Sequence, residues 1–298
     1  SALLHKDYTR LAGAATLTAA GVVITLLAAI GLQKIIDQNL QTIDYTGLRL
    51  AILIATALGA GTVLLLYKRN LLLARQRMNF NNRLAEIFYT TLLRLPKSFF
   101  DMRNGEFVML KNDVTQLQKA AAGVIKAAAT HGVPFVIFAI AGLVMAPGAG
   151  MLVLCGVPLL ALMYVLLNVK VKHTHKKLIT SHALAETHYN ETVSSITTIK
   201  SNTREEFFLA MHTQLYGAFQ KKLFNLQKLA GRFHCAAQIT AVVLALGTGG
   251  MLMPQLINHQ VHMGEGVVML IVTLLSIYNL YKLSMAAGTV QEATLYFN

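Results

Sequence analysis

Between Lys126 and Lys170 the chain runs for 43 residues without an Asp, Glu, Lys or Arg. A helix needs about 20 apolar residues to cross a hydrocarbon core of about 30 Å, so this run is long enough to cross twice. Its only break is Pro147 to Gly150, PGAG, a turn sequence. Two antiparallel spans are therefore expected, at about 127–146 and 151–169. The same reading finds spans at about 11–33, 50–67, 233–254 and 266–281, the last being the weakest. Lys6 and Arg10 precede the first span as they would a signal peptide, but Leu11 to Gln33 is 23 residues free of charge, longer than an h-region. The expected fold class is an all-α membrane protein with six transmembrane helices. A composition of 55% hydrophobic and 13% charged residues supports it, as does a mean hydropathy of +0.53.

The net charge of +13 does not indicate a nucleic-acid partner, because the basic residues lie between the spans. Residues 68–126 hold 11 basic and 4 acidic residues, and 170–232 hold 10 and 4, so 21 of 26 basic residues fall in two segments. The positive-inside tendency puts both segments, and both termini, in the cytoplasm. Contact with lipid headgroups is the natural use of this charge.

Neither segment reads as a flexible linker. Leu50 to Leu95 as one helix is about 69 Å long, more than twice the hydrocarbon thickness, so part of it projects from the membrane. Its stripe Leu84, Phe88, Leu92 and Leu95 has to stop at Pro96, which lacks an amide donor. A helix restarts after Asn104-Gly105 with an apolar face of Leu110, Val114, Leu117, Ala121 and Val124. The connector Ser98 to Gly105 sets Phe99 and Phe100 among Lys97, Asp101, Arg103 and Asn104. That pattern fits a partner-docking tip; it equally fits a hairpin that tucks the two rings into its own core. In the second segment Leu178, Ala185, Tyr189, Val193 and Ile196 mark a descending helix, and Leu215, Phe219, Leu223 and Leu226 an ascending one. Between them Thr197 to Glu206 forms a second polar tip, where Ser201 to Thr203 disfavour continuous helix. There is no internal repeat and no separate soluble domain.

The run LLRLPKSFFDMRNGEFVMLKNDV, from Leu92, resembles the first cytoplasmic loop of the transmembrane domain of ABC exporters. ETVSSITTIKSNTREEFF, Glu191 to Phe208, resembles that family's second loop, and LQKIIDQ closes the first span as it does there. The resemblance covers nearly the whole chain. It implies that Ser98, Phe99, Phe100, Asp101, Arg103, Asn104 and Gly105 form a first coupling helix. Ser201, Asn202, Thr203, Arg204, Glu205 and Glu206 would form a second, which in the family reaches the opposite subunit of a dimer. The implied partners are a nucleotide-binding domain, fused or separate, and a second transmembrane subunit, like or unlike; ATP and Mg would belong to the nucleotide-binding domain. The implied setting is a multi-pass protein of the bacterial inner (plasma) membrane. Gly250 to Gly266, GMLMPQLINHQVHMGEG, is reminiscent of the peptide and protein secretion branch. The chain departs from the complete family pattern in having no GxxxxGK[ST] phosphate loop. No enzymatic activity is expected of this segment, whose end falls where a linker to the ATPase domain would begin.

No Asp, Glu, Lys or Arg lies in the core of any span, which argues against an ion-coupled carrier. The substrate-pathway candidates are the intramembrane polar groups His131, Tyr164, Gln238, Tyr278 and Asn279, each of which also suits interhelical hydrogen bonding. His173, His175, His182 and His188 do not make a metal site, since residues two apart on a helix point about 200° apart. His182 falls on the apolar stripe and is expected to be a buried polar contact. Met145, Met151, Met251, Met253 and Met263 near the outer ends read as packing residues, and Cys155 and Cys235 carry no motif. Two functions remain open: the membrane half of an ATP-driven exporter of a peptide, lipid or other amphipathic cargo, and a non-transporting scaffold, regulator or channel whose tips bind a partner protein.

Overall fold

The computed structural model describes residues 8–39, 45–96 and 106–295. The chain forms α1 (Tyr8–Asn39), α2 (Tyr45–Leu93), α3 (Glu106–Ala127), a π-helical turn (Ala128–Gly132), α4 (Val133–Met145), α5 (Pro147–Ser194), α6 (Ile196–Ser201), α7 (Glu205–Ile257) and α8 (Met263–Leu295). Among the described residues there is no strand, and six helical stretches are long and apolar enough to cross a membrane. The chain is thus an all-α, multi-pass membrane protein, as expected.

The long levers are present. With 49, 48 and 53 residues, α2, α5 and α7 are about 73, 72 and 80 Å long. Helix α2 stops where Pro96 requires it, through a tight last turn in which Arg94 N–H donates to Thr91 O and Leu95 N–H to Leu92 O. Leu84, Phe88, Leu92 and Leu95 are half-buried there, the last three between exposed neighbours. Helix α3 begins at Glu106, directly after Gly105. Ala121 and Val124 of its expected face are half-buried, while the side chains of Leu110, Val114 and Leu117 lie outside the described residues. The turn at PGAG is a single break at Ala146, with φ −139° and ψ 79°. Gly150 allows α4 and α5 to close there, because a Cβ on it would lie 2.7 Å from the backbone nitrogen of Leu143.

The core gathers on α8. Val268 and Val272 pack with Val22 of α1 and Phe138 of α4, Met269 with Ala149 and Leu252, Ile277 with Val153 and Leu244, and Leu280 with Leu160 and Ala237. Helix α2 enters at one cluster, where Leu73 meets Ala14 and Ala129. The beginning of α8 is tied to the end of α1: the Asp37 carboxylate accepts the Gly264 N–H at 2.7 Å. That carboxylate sits on the first orphan amides of α8, where the helix dipole favours negative charge.

The hairpin of α5 and α7 corrects the expected stripe. From Leu178 onward on α5, the buried residues Leu178, Ser181, Ala185 and His188 and the half-buried Thr192 are spaced 3, 4, 3 and 4, which is a coiled-coil seam. On α7 the matching set is His212, Leu215, Phe219, Lys222 and Leu226, with the same alternation. Tyr189, Val193 and Ile196 are 57%, 53% and 43% exposed. Steps of four from Ala185 advance about 40° each around the helix and leave the seam. His182 is likewise not buried: it is half-exposed, 3.4 Å from Glu186 and edge-on to Phe219. The buried histidines are His175 and His188.

Candidate functional site

The five pathway candidates fall in one layer. His131, Tyr164 and Gln238 each lie a few residues inside the span end from which the long hairpins emerge, and Tyr278 and Asn279 approach the same end on α8. At 1.5 Å per residue this places them within about 8 Å of the span ends expected from the sequence.

Three of them meet. His131 Nδ1 is 3.1 Å from Asn279 Oδ1, and its ring stands edge-on to Tyr278 with centroids 6.3 Å apart. Asn279 Nδ2 donates to Leu275 O at 2.8 Å, so Oδ1 is the atom left to accept and His131 Nδ1 donates to it. Asn279 is buried, whereas Tyr278 is 51% exposed. Gln238 joins through a neighbour, donating from Nε2 to Tyr281 Oη at 3.1 Å. Lys282 Nζ lies 5.6 Å from the Tyr278 ring centroid and 5.8 Å from that of Tyr281, linking the two halves by cation–π attraction. Tyr164 is half-buried on α5, and no hydrogen bond among the described residues ties it to the other four.

The π turn explains why His131 is presented there. An α-helix through this segment would need an N–H at Pro134 to bond Thr130 O, and proline has none. The backbone adds one residue to the turn, and Val133 N–H bonds Ala128 O instead. The signal was legible as Gly132-Val133-Pro134. Tyr281 and Lys282, absent from the sequence-based candidates, share a face with Tyr278 by the i, i+3, i+4 rule. Buried Thr130 Oγ1 and Ser276 Oγ have no hydrogen-bond partner among the described residues. This polar layer gives a ligand hydroxyl, amide and aromatic contacts together with one cation and no carboxylate.

The second tip is also defined. Helix α6 ends in a Schellman motif, with Arg204 N–H bonding Ile199 O at 3.1 Å and Thr203 N–H bonding Lys200 O at 3.2 Å. Thr203, in the position where glycine is usual, has φ 51°, an uncommon conformation for a β-branched residue. Asn202 Nδ2 and Ser201 Oγ both donate to Thr198 O. Ile199 is buried at 4%, anchoring the tip, while Ser201 to Glu206 are all exposed. Glu205 and Glu206 occupy the first turn of α7, the favoured place for acids. The break thus falls where Ser201 to Thr203 were expected to make one. The first tip, Ser98 to Gly105, lies outside the described residues. No group of three His, Cys, Asp or Glu suited to a metal ion occurs among the described residues.

Six candidate membrane spans, with helices that run well beyond them and one structured tip at Ser201 to Glu206, define a class of multi-pass membrane proteins with long helical extensions. The family of the ABC transporter transmembrane region matches residues 11–278, and the chain belongs to it. The fold is similar to that in the "Structure of a bacterial Atm1-family ABC exporter with ATP bound", with TM-score 0.82 and 18% identity over 97% of this chain and 52% of that one. The chain therefore spans about half the length of that solved exporter. No curated protein matched the chain.

Proposed function

We propose that the chain is the membrane-spanning part of an ATP-driven exporter that carries a peptide, lipid or other amphipathic cargo out of the cytoplasm. The observation that carries this reading is the pairing of rigid levers with a structured, exposed end. The second tip is held by a Schellman motif and a buried isoleucine, yet every residue from Ser201 to Glu206 is open to a partner. A lever fixed at its end passes a partner's movement into the membrane instead of absorbing it.

In this reading a nucleotide-binding domain, fused or separate, holds ATP and Mg and docks on Ser98–Gly105 and Ser201–Glu206. Two transmembrane subunits enclose the pathway. The polar layer of His131, Gln238, Tyr278 and Asn279 meets the cargo near the cytoplasmic face, with Tyr164 as a further candidate. Both termini are cytoplasmic, in a bacterial inner membrane. The mixture of rings, amides and a single histidine suits a cargo with apolar and polar parts better than a small ion.

The test is the double substitution Phe99→Ala/Phe100→Ala. If the two rings are docking anchors, association with the ATPase domain weakens by about 2 to 4 kcal/mol, transport is lost, and the melting temperature of the isolated membrane domain is unchanged. A lowered melting temperature with unchanged association refutes the docking role and favours rings packed within the hairpin.

A further inference from the structure

Helices α2 and α3 diverge below the first span ends and leave a cleft of about 670 Å³. Its lining combines three cations, Arg77, Lys119 and Lys126, with Gln76 and Asn81, and includes no acidic residue among the described residues. The cations are exposed, but the amides are not idle surface groups. Gln76 is 2% exposed, and among the described residues its Nε2 has no hydrogen-bond partner; neither does the buried Asn81 Oδ1. Leaving a buried amide unpaired costs the desolvation of that group, so the pair marks a place where something polar is missing. Asn70, also in the lining, accepts from Arg69 Nε and Nη2 through its Oδ1, which leaves its amide N–H groups to be offered. The walls are held at fixed separation by Gln118 Nε2, which donates to the Asn81 backbone carbonyl at 3.3 Å.

These groups define a ligand. Three cations with no acidic partner among the described residues and two amide donors call for a multiply charged oxyanion, and a phosphate carries more charge and more acceptor oxygens than a carboxylate. The Asn81 acceptor calls for a hydroxyl beside it, and Leu73 and Ile125 in the lining tolerate a carbon skeleton. The position agrees: Lys126 and Asn70 lie at the span ends, and Arg77 about 15 Å beyond Tyr67 along α2. The cleft therefore opens from headgroup level towards the cytoplasm, where basic pockets between helices take phosphate headgroups. We propose that this cleft binds a glycerophosphate group, phosphate against Arg77, Lys119 and Lys126 and hydroxyls against Asn81. The site is separate from the polar layer around His131.

Two sources carry this chemistry, a lipid headgroup and a free metabolite, and two probes separate them. The chain in phosphatidylcholine nanodiscs is titrated calorimetrically with sn-glycerol 3-phosphate; in parallel, native mass spectrometry measures retention of phosphatidylglycerol over phosphatidylcholine. Saturable binding of the first probe identifies a free phosphate ester, and selective retention of the second a headgroup. Whichever probe binds, Arg77→Gln and Lys119→Gln each weaken it about tenfold, while Lys228→Gln on the α5–α7 hairpin has no effect. Gln76→Leu also weakens binding, and it raises the melting temperature without probe because it removes the unpaired amide. The proposal is overturned if neither probe binds, or if the four variants bind alike. It is equally overturned if Arg77→Gln and Lys119→Gln abolish self-association while the unsubstituted chain takes up neither probe, since the cations then face a second copy.

Discussion

Helices α8 and α2 are both long apolar segments, and the fold uses them in opposite ways. Half of the most apolar window of α8 is buried within the chain, against 6% for α2. In the sequence the last span reads as the weakest, although its window is the more apolar of the two. The difference lies in side-chain size and polarity. Helix α8 carries Gly264, Gly266, Thr273, Ser276 and Asn279 towards its neighbours, whereas α2 turns Leu53, Val63 and Leu64 outward at 63% exposure or more. In a bilayer, lipid is as good a solvent for leucine as another helix is. Close packing goes to the helix with small and polar residues.

The sharpest way to break this comparison is to add one methyl group to a glycine on each helix. A Cβ on Gly264 would lie 2.6 Å from the Gln33 carbonyl oxygen and 2.8 Å from the Asp37 carboxylate, so Gly264→Ala has to displace backbone. It is expected to cost about 1 to 3 kcal/mol, read as a fall in melting temperature. Gly59 on α2 has nothing within 4 Å of the same position, and Gly59→Ala should be neutral or stabilising by up to about 1 kcal/mol. Equal effects at the two sites would remove the distinction between the helices.

A smaller effect sharpens it. The His131–Asn279 hydrogen bond joins the π turn to α8, and a double-mutant cycle of His131→Ala and Asn279→Ala should give a coupling of about 0.6 to 1.7 kcal/mol, the range of hydrogen bonds between membrane helices. Zero coupling would mean that the polar row on α8 does not hold the bundle together.

The same contrast shows what was readable from the sequence. Helix ends were legible because their causes are local: Pro96 stops α2, PGAG separates α4 from α5, and Ser201 to Thr203 interrupt the second hairpin. The hairpin seam was legible only in part: Leu178, Ala185, Leu215, Phe219 and Leu226 of the expected stripes lie on it, but so do the polar Ser181, His188, His212 and Lys222. Lys222 Nζ donates to Ser181 Oγ across the seam, and His188 stacks on His212 with centroids 5.9 Å apart. An apolar periodicity cannot find a polar interface. Of the pathway candidates, His131, Tyr278 and Asn279 proved to be neighbours, which no spacing along the chain foretells. Tyr281 and Lys282 were passed over because the span was closed at Tyr281, although both lie on the helical face of Tyr278.

In the proposed function exposure means different things on the two helices: α8 would expose Tyr278 to a watery pathway, and α2 would expose Val63 to lipid. In a background of Cys155→Ala and Cys235→Ala, single cysteines at Tyr278 and Val63 are treated with a membrane-impermeant maleimide from the hairpin side. Both positions are more than half exposed, so burial alone does not separate them. Tyr278→Cys is predicted to react, and to lose reactivity when the ATPase partner is closed on ATP, while Val63→Cys stays unlabelled throughout. Rapid labelling of Val63→Cys with Tyr278→Cys inert would contradict the claim.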